Sequence, residues 1–140
     1  MSALLDQPIN ANLPFQFTNI ALIPSDRKTL HQRIAERFDV MLNEGLVNEV
    51  QSIREQFNVN ANSPAMRCVG YRQVLMFLDN EIKQTEMREM GIIATRQLAK
   101  RQLTWLRGMK TYEINNFDCL AEDLVTQVLT FLASRLQPIN

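Results

Sequence analysis

Residues 85–107 read TEMREMGIIATRQLAKRQLTWLR, the most strongly patterned stretch of the chain. The spacing predicts one long helix, with Thr85 as its N-cap and Gly108 just past its end. At about 100° per residue, the apolar side chains fall on two roughly opposite faces. One face holds Ile92, Ala99, Leu103 and Leu106, and the other holds Ala94, Leu98 and Trp105. We therefore expect this helix to be buried on two sides.

Shorter elements are predicted on either side of this helix. Residues 15–23 alternate and then run apolar before Pro24, which favours a strand. Helices are predicted from the cap Ser25-Asp26 to near Gly45 and over residues 46–57, 71–78 and 121–136, with a polar loop at 58–64 and a short strand at 112–115. Residues 1–14 read as a linker before the folded part, 15–140. The expected fold class is mainly α with one or two short strands.

Composition limits the class of protein. The chain has 140 residues, 15 basic and 15 acidic, so its formal net charge is zero, and 46% of the residues are hydrophobic. These values suit one globular domain and exclude a disordered or collagen-like chain. No apolar run approaches the ~18 residues of a membrane span, and the first residues lack a signal-peptide pattern. Two cysteines and one histidine cannot build a disulfide framework or a Cys/His zinc site. We expect a cytoplasmic protein with free thiols.

The charge is unevenly distributed. Residues 95–110 contain five basic residues and no acidic one, which leaves ten basic and fifteen acidic residues elsewhere. Arg96, Lys100 and Arg107 fall in the gap between the two apolar faces, and Gln97 and Thr104 extend the same polar strip. The strip could line a groove that binds a polyanion. The alternative is an ordinary solvated helix face, although such faces usually interleave both signs of charge.

Arg37 is the second unusual basic residue. It follows Leu30 by seven positions and Ile34 by three, so we expect its side chain at the margin of the apolar stripe, where a guanidinium needs an anion. It could bind a phosphate, or it could pair with Asp39, Glu44 or Glu49. The lone histidine, His31, is interpreted as structural. No glycine-rich phosphate loop or other complete catalytic motif occurs in the chain.

Three segments resemble one family, the tRNA dimethylallyltransferases, also called tRNA isopentenyltransferases. The segments are LHQRIAERF (30–38), RCVGYRQ (67–73) and TRQLAKRQLTWLR (95–107). Their order and spacing are similar to those in the C-terminal half of the bacterial enzymes, over residues 14–110. The resemblance implies the C-terminal part of a P-loop NTPase-like α/β enzyme, with residues 1–14 at the end of a helical insertion domain and residues 15–140 in the catalytic core.

The family reaction transfers a dimethylallyl group from dimethylallyl pyrophosphate to N6 of the adenosine 3′-adjacent to the tRNA anticodon. The resemblance places the phosphate-binding glycine loop, the acidic general base and the Mg²⁺ ligands in the N-terminal half, outside this chain. We therefore expect the isolated chain to be inactive. It also implies a monomer for the full-length enzyme, whereas a fragment with uncovered apolar surface could self-associate.

The resemblance also suggests residue roles. Arg37 matches the arginine that contacts pyrophosphate, where it would stabilise charge on the leaving group. Arg96, Lys100 and Arg101 match a basic helix beside the channel, which implies contact with tRNA phosphates. Arg72 or Gln73 is expected to face the channel, and both are assigned to tRNA binding. Tyr71 and Trp105 are interpreted either as core packing or as base stacking.

Two other classes stay open on the residues alone. A helical nucleic-acid-binding module without catalysis would need Arg96 and Lys100 for RNA or DNA but would not bind pyrophosphate. A helical protein-interaction domain would use its exposed apolar faces and would lack affinity for nucleic acid.

Overall fold

The computed structural model describes residues 17–57, 59–109 and 113–135. Within these residues, two strands and five α-helices follow one another. They are β1 (Asn19–Ile23), α1 (Arg27–Asn43), α2 (Leu46–Phe57), a 3₁₀ turn (Pro64–Arg67), α3 (Tyr71–Leu78), α4 (Gln84–Gly108), β2 (Ile114–Asp118) and α5 (Leu124–Arg135). The expected fold class, mainly α with one or two strands, is confirmed. None of the helices in the described residues combines the length and apolar character required to cross a membrane.

The two strands pair in parallel, from Asn19 with Ile114 to Ile23 with Asp118. Parallel neighbours need a long crossover, and here the whole set of helices α1 to α4 provides it. Parallel sheets are normally covered on both faces. In β1, however, Ala21 is buried while Leu22 is 51% exposed. The described residues therefore leave part of this sheet uncovered.

A local capping device starts α1 directly after β1. Asp26 accepts hydrogen bonds from the backbone N–H groups of Lys28 at 3.2 Å and Thr29 at 2.7 Å. Its carboxylate also accepts a hydrogen bond from the Thr29 hydroxyl. These bonds lower the pKa of Asp26, and the bond from the Thr29 hydroxyl has the largest effect. The turn into α2 uses Gly45 at φ +102°, a conformation that glycine adopts at little cost. The predicted cap and end of this helix are confirmed.

The hydrophobic core lies between α1, α2, α3 and the first half of α4. Its buried side chains are Phe38, Leu46, Val50, Met66, Val74, Leu75, Met87 and Ile92. Gly91 is also buried, and a Cβ added there would overlap the Phe38 ring. The absence of a side chain at Gly91 thus lets α1 and α4 approach closely.

Most predicted elements are confirmed, and the corrections concern one short turn and the ends of four elements. Helix α4 begins after Lys83 and not after Thr85, because Glu86 accepts from the Lys83 N–H at 2.7 Å and so caps that turn. The predicted loop 58–64 leads into an unpredicted 3₁₀ turn. β1 begins only at Asn19, β2 begins only at Ile114, and α5 begins at Leu124 and not at residue 121. Gly108 is the last residue of α4 and does not lie past its end. The predictions for residues 1–16 and for residues 58, 112 and 136 lie outside the described residues.

The expectation that α4 is buried on two sides is wrong. Trp105 is 67% exposed and Leu98 is 37% exposed, so the second apolar face has no cover within the described residues. Periodicity alone marks an apolar face but does not identify what packs against it.

Candidate functional site

A cavity of about 230 Å³ lies at the carboxyl end of β1, between the start of α1 and the second half of α4. Pro24 and Ser25, which follow β1, form one wall, and Leu30 and Leu103 contribute apolar surface. Crevices beyond the carboxyl ends of parallel strands are common ligand sites in α/β proteins. The position of this cavity therefore makes it the leading candidate site.

The charge on the cavity wall has one sign. Arg27 from α1 and Arg96, Lys100 and Arg107 from α4 all line it, and no Asp or Glu among the described residues does so. Thr104 lines it as well. The prediction that the polar strip of α4 lines a groove is thus confirmed for four of its five members. The fifth, Gln97, lines a different surface.

Arg96 is partly buried and incompletely paired. Its Nε has no hydrogen-bond partner although it is shielded from solvent, and its Nη2 donates a long bond, 3.4 Å, to the backbone carbonyl of His31. In residues 17–57, 59–109 and 113–135, no carboxylate lies within 4.0 Å of this guanidinium. A desolvated donor without an acceptor is costly, so the pairing of Arg96 within the described residues is incomplete.

Contacts further along the same two helices hold Arg96 in place. The Arg88 guanidinium donates two hydrogen bonds to the Asp39 carboxylate, from Nε at 2.5 Å and from Nη2 at 2.7 Å. This pairing lowers the pKa of Asp39. Arg88 precedes Arg96 by eight residues, and Asp39 follows His31 by eight, so the pair fixes the register of antiparallel α1 and α4.

The outward side of α4 presents a second surface. Gln97, Lys100, Arg101, Thr104 and Trp105 line an open depression there. Arg101 lies on this side and not in the cavity, whereas Lys100 borders both. The exposure of Trp105 argues against core packing within the described chain.

The residues predicted around Gly70 are placed away from the cavity. Arg72 is exposed and lines a separate depression with Arg67, Asp79 and Glu81, which carries both signs of charge. Gln73 is buried, with 7% of its surface exposed, and its Oε1 accepts from the Gly70 N–H at 2.9 Å. The expectation that Gln73 faces a channel is therefore wrong, because the side chain caps α3 at a glycine with φ +95°.

Tyr71 has a structural contact. Its ring packs against the core and its hydroxyl donates a short hydrogen bond to the Glu49 carboxylate. This bond raises the pKa of Tyr71, with burial as a smaller cause. Of the two interpretations of Tyr71, the structure supports core packing.

Arg37 lies neither in the cavity nor in the depressions described above. Its side chain is 66% exposed, and its Nη1 lies 3.7 Å from Oε2 of Glu44. The expected cost of placing a guanidinium beside the apolar stripe is therefore absent. Phe38, one position later, carries the buried stripe, and the 100° rotation per residue turns Arg37 to solvent. Its role toward pyrophosphate stays a prediction that rests on resemblance.

The metal and thiol predictions have different outcomes. The described residues contain no group of three His, Cys, Asp or Glu side chains that could hold a metal ion. The role of magnesium in a longer protein stays a prediction. Cys68 and Cys119 are both free thiols, as expected.

Sequence reasoning missed Arg27 as a member of the site. The signal was available, because Arg27 directly follows the cap of α1, a few residues after the end of β1. Only the packing of α1 on α4, however, shows that it faces the same cavity as Arg96.

Comparison with known proteins adds to this geometry. Residues 1–109 match the family described as IPP transferase. The chain belongs to this family. The resemblance to tRNA dimethylallyltransferases is thus confirmed.

Two curated relatives illustrate the match. A tRNA dimethylallyltransferase of Nitrosomonas eutropha is 59% identical over 132 residues, which cover 94% of this chain and 41% of the relative. One of Nitrosomonas europaea is 56% identical over 135 residues, covering 96% and 42%. The chain thus spans about two fifths of the length of the curated relatives it matches.

Two crystal structures share the fold. The tRNA isopentenylpyrophosphate transferase of Bacillus halodurans superposes with a TM-score of 0.75 at 25% identity, covering 90% of this chain and 41% of that one. The enzyme of Staphylococcus epidermidis gives a TM-score of 0.68 at 29% identity, covering 86% and 38%.

Proposed function

We propose that this chain is the C-terminal part of a tRNA dimethylallyltransferase. The whole enzyme would transfer a dimethylallyl group from dimethylallyl pyrophosphate to N6 of the adenosine 3′-adjacent to the tRNA anticodon. The observation that carries the proposal is the cavity that Arg27, Arg96, Lys100 and Arg107 line with no acidic side chain from the described part of the chain, in a protein whose relatives bear this name.

The reaction makes three demands on the protein. The base must be held outside its stack in line with the allylic carbon, a proton must leave the amine, and the growing charge of the departing pyrophosphate must be stabilised. The described residues of this chain supply cations that line the cavity and the outward side of α4. By resemblance, the phosphate loop and the general base belong to the N-terminal half of such enzymes.

We assign tRNA phosphate contact to Arg96, Lys100 and Arg101. Lys100 borders both the cavity and the outward depression, so the three cations form one continuous basic surface around α4. Phosphate contacts of this kind provide much of the affinity for RNA and make it depend on salt. Exposed Arg72 remains a candidate contact, whereas buried Gln73 is left out of the proposed interface.

Arg37 is retained as the proposed pyrophosphate contact on resemblance alone. Its 66% exposure leaves the guanidinium accessible to a phosphate group bound by another part of the protein. The group would act by charge stabilisation and not as a base, because arginine stays protonated.

A chimera tests the proposal directly. This chain would replace the matching 41% of the Nitrosomonas eutropha relative, and tRNA and dimethylallyl pyrophosphate would be supplied with Mg²⁺. We expect dimethylallylated tRNA from the chimera and none from the chain alone. An inactive but folded chimera would contradict the proposal, and turnover by the isolated chain would contradict the division of roles.

The same chimera separates the role of Arg37 from that of a surface arginine. We expect Arg37→Ala to lower kcat by about 10²-fold or more without weakening tRNA binding. Arg33→Ala is the matched control, because Arg33 is also exposed on α1 and lines none of the described depressions. Equal effects of the two variants would make Arg37 a structural residue.

The remaining parts of the proposal follow the resemblance. They are a cytoplasmic location with the tRNA substrate, a full-length monomer and a magnesium requirement.

The same experiments distinguish the two rival functions. A nucleic-acid-binding module would bind tRNA but leave the chimera inactive, and a protein-interaction domain would bind no tRNA.

A further inference from the structure

The cavity beyond β1 contains a cation that none of the assignments above explains. Arg27 is the first residue of α1 and lines the cavity opposite the basic side of α4. In the described residues it has no carboxylate within 4.0 Å. An exposed arginine commonly pairs with a nearby acid, but Asp26, its neighbour, is occupied in capping α1.

We infer that Arg27 and Arg96 together bind one phosphate group of the RNA backbone inside this cavity. The inference rests on the proposed function and deepens it, because it names a phosphate-binding subsite and a residue from α1 that completes it. The two guanidinium groups come from different helices and line one cavity of about 230 Å³. Planar guanidinium groups are well suited to bind phosphate with two parallel hydrogen bonds.

Arg96 supplies the strongest reason for an anion at this point. Its Nε is shielded from solvent and unbonded, while its Nη2 makes a long bond to the His31 carbonyl. Arg96 lines the cavity and has no carboxylate partner in the described residues, so the terminal Nη donors of its guanidinium are free for a phosphate oxygen there. The Asp39–Arg88 pair holds α4 against α1, so Arg96 is held in the cavity wall before a ligand binds.

The arrangement of the cations favours RNA over a free diphosphate. On α4, Lys100 and Arg107 follow Arg96 by four and eleven residues, which corresponds to about 6 and 16 Å along the helix. A row of this length matches successive phosphates of a backbone better than a compact diphosphate. Lys100 also connects the cavity to the outward surface with Arg101 and Trp105, along which a strand could continue.

The test measures binding of a fluorescently labelled tRNA anticodon stem-loop to the 140-residue chain at several salt concentrations. We expect Arg27→Ala and Arg96→Ala each to weaken binding by about tenfold. Each should lower the slope of log affinity against log salt by about 0.7, the loss of one phosphate contact. Lys28→Ala is the matched control, because Lys28 is the exposed neighbour of Arg27 and does not line the cavity.

A double mutant tests whether the two arginines share one phosphate. The combined Arg27→Ala and Arg96→Ala change should weaken binding by clearly less than the product of the single effects, because the second change removes a contact that is already impaired. Multiplicative effects would overturn the shared subsite. An effect of Arg27→Ala equal to that of Lys28→Ala would overturn the role of Arg27.

Inorganic pyrophosphate is the second probe. If Arg27→Ala weakened pyrophosphate binding and left RNA binding unchanged, the cavity would hold a free diphosphate and the inference would be wrong. Arg96→Lys, which keeps the charge and loses the planar fork, guards against misfolding of Arg96→Ala and should also bind RNA less tightly.

The result can be separated from failure of the proposed function. Product formation by the chimera depends on catalysis, whereas the binding experiment does not. An active chimera with unchanged RNA affinity in Arg27→Ala would reject only the subsite.

Discussion

The two halves of α4 contrast within a single helix. Before Thr95, Met87, Gly91 and Ile92 are buried, and Arg88 is paired with Asp39. From Thr95 onward no residue is fully buried, and the basic side chains have no acidic partner in the described residues. The first half anchors the helix in the core. The second half exposes basic side chains and apolar surface at the cavity and on the outward side of the helix. One continuous helix thus transmits the rigidity of the core to the cavity.

The largest effect is expected at the point of closest packing in the first half. Gly91→Ala should lower the free energy of unfolding by about 3 kcal/mol, because the new Cβ would overlap the Phe38 ring and force α1 and α4 apart. Chemical denaturation measures the loss.

Gly108→Ala is the matched control at the other end of the same helix. Nothing lies within 4 Å of the position of its Cβ, so we expect a change of at most about 0.5 kcal/mol. A similar loss at both glycines would mean that the contact with Phe38 does not govern the result, because alanine favours a helix more than glycine does and propensity alone would not lower stability.

In the second half of α4, a substitution should affect RNA binding without affecting the stability of the fold. Arg96→Ala should leave the free energy of unfolding within about 0.5 kcal/mol of the parent value, since the lost hydrogen bond to His31 is long and an unsatisfied Nε is removed with it. RNA affinity should nevertheless fall by about tenfold. Parallel melting and binding curves would show both effects. A large loss of stability with unchanged binding would make Arg96 part of the core and would break the contrast.

A pH titration tests the Asp39–Arg88 contact in the first half of α4, together with two carboxyl groups outside that helix, Asp26 and Asp118. The pKa of Asp39 is lowered by its hydrogen bonds with Arg88, that of Asp26 by Thr29, and that of Asp118 by Ser25. Carboxyl groups whose pKa is lower in the folded chain stabilise it above their unfolded pKa of about 3.9, and this contribution is lost as the pH falls through the folded value. Stability should therefore be constant between about pH 5 and 7 and decline below about pH 4.

Asp39→Asn tests how much of the loss of stability at acidic pH comes from protonation of Asp39. The variant should unfold more easily than the parent at neutral pH and show a shallower loss on acidification, because its side chain cannot be protonated. Identical pH profiles would remove Asp39 from the explanation. The measurement is the thermal midpoint as a function of pH.

Much of this architecture could be predicted from sequence because it depends on local signals. Asp26 as a cap, the stop at Gly45 and the spacing of Leu30, Ile34 and Phe38 all lie within a few residues of the structure they specify. Long-range relations were less accessible. The cavity requires β1, α1 and α4 to meet, and the role of Gly91 depends on Phe38, more than fifty residues away in sequence.

The candidate site shows the same division. The cationic strip of α4 follows from helix periodicity alone, and its cavity-lining position is confirmed for Arg96, Lys100, Thr104 and Arg107. Arg37 and Gln73 were misplaced because a neighbouring apolar residue or a motif does not fix the direction of a side chain. In each case the deciding quantity was exposure, which depends on tertiary packing.

The smallest effect on stability is expected at Trp105. A tryptophan in a core would cost about 3 to 5 kcal/mol when truncated to alanine. Because 67% of the Trp105 surface is exposed, Trp105→Ala should instead change the free energy of unfolding by no more than about 0.5 kcal/mol. Chemical denaturation followed by far-ultraviolet circular dichroism measures this without relying on the missing fluorophore. Val74→Ala, at a fully buried position, provides the contrasting loss even though far fewer atoms are removed. A stability loss at Trp105 as large as that at Val74 would place the indole in the packed part of the molecule, and the second half of α4 would no longer be an uncovered surface.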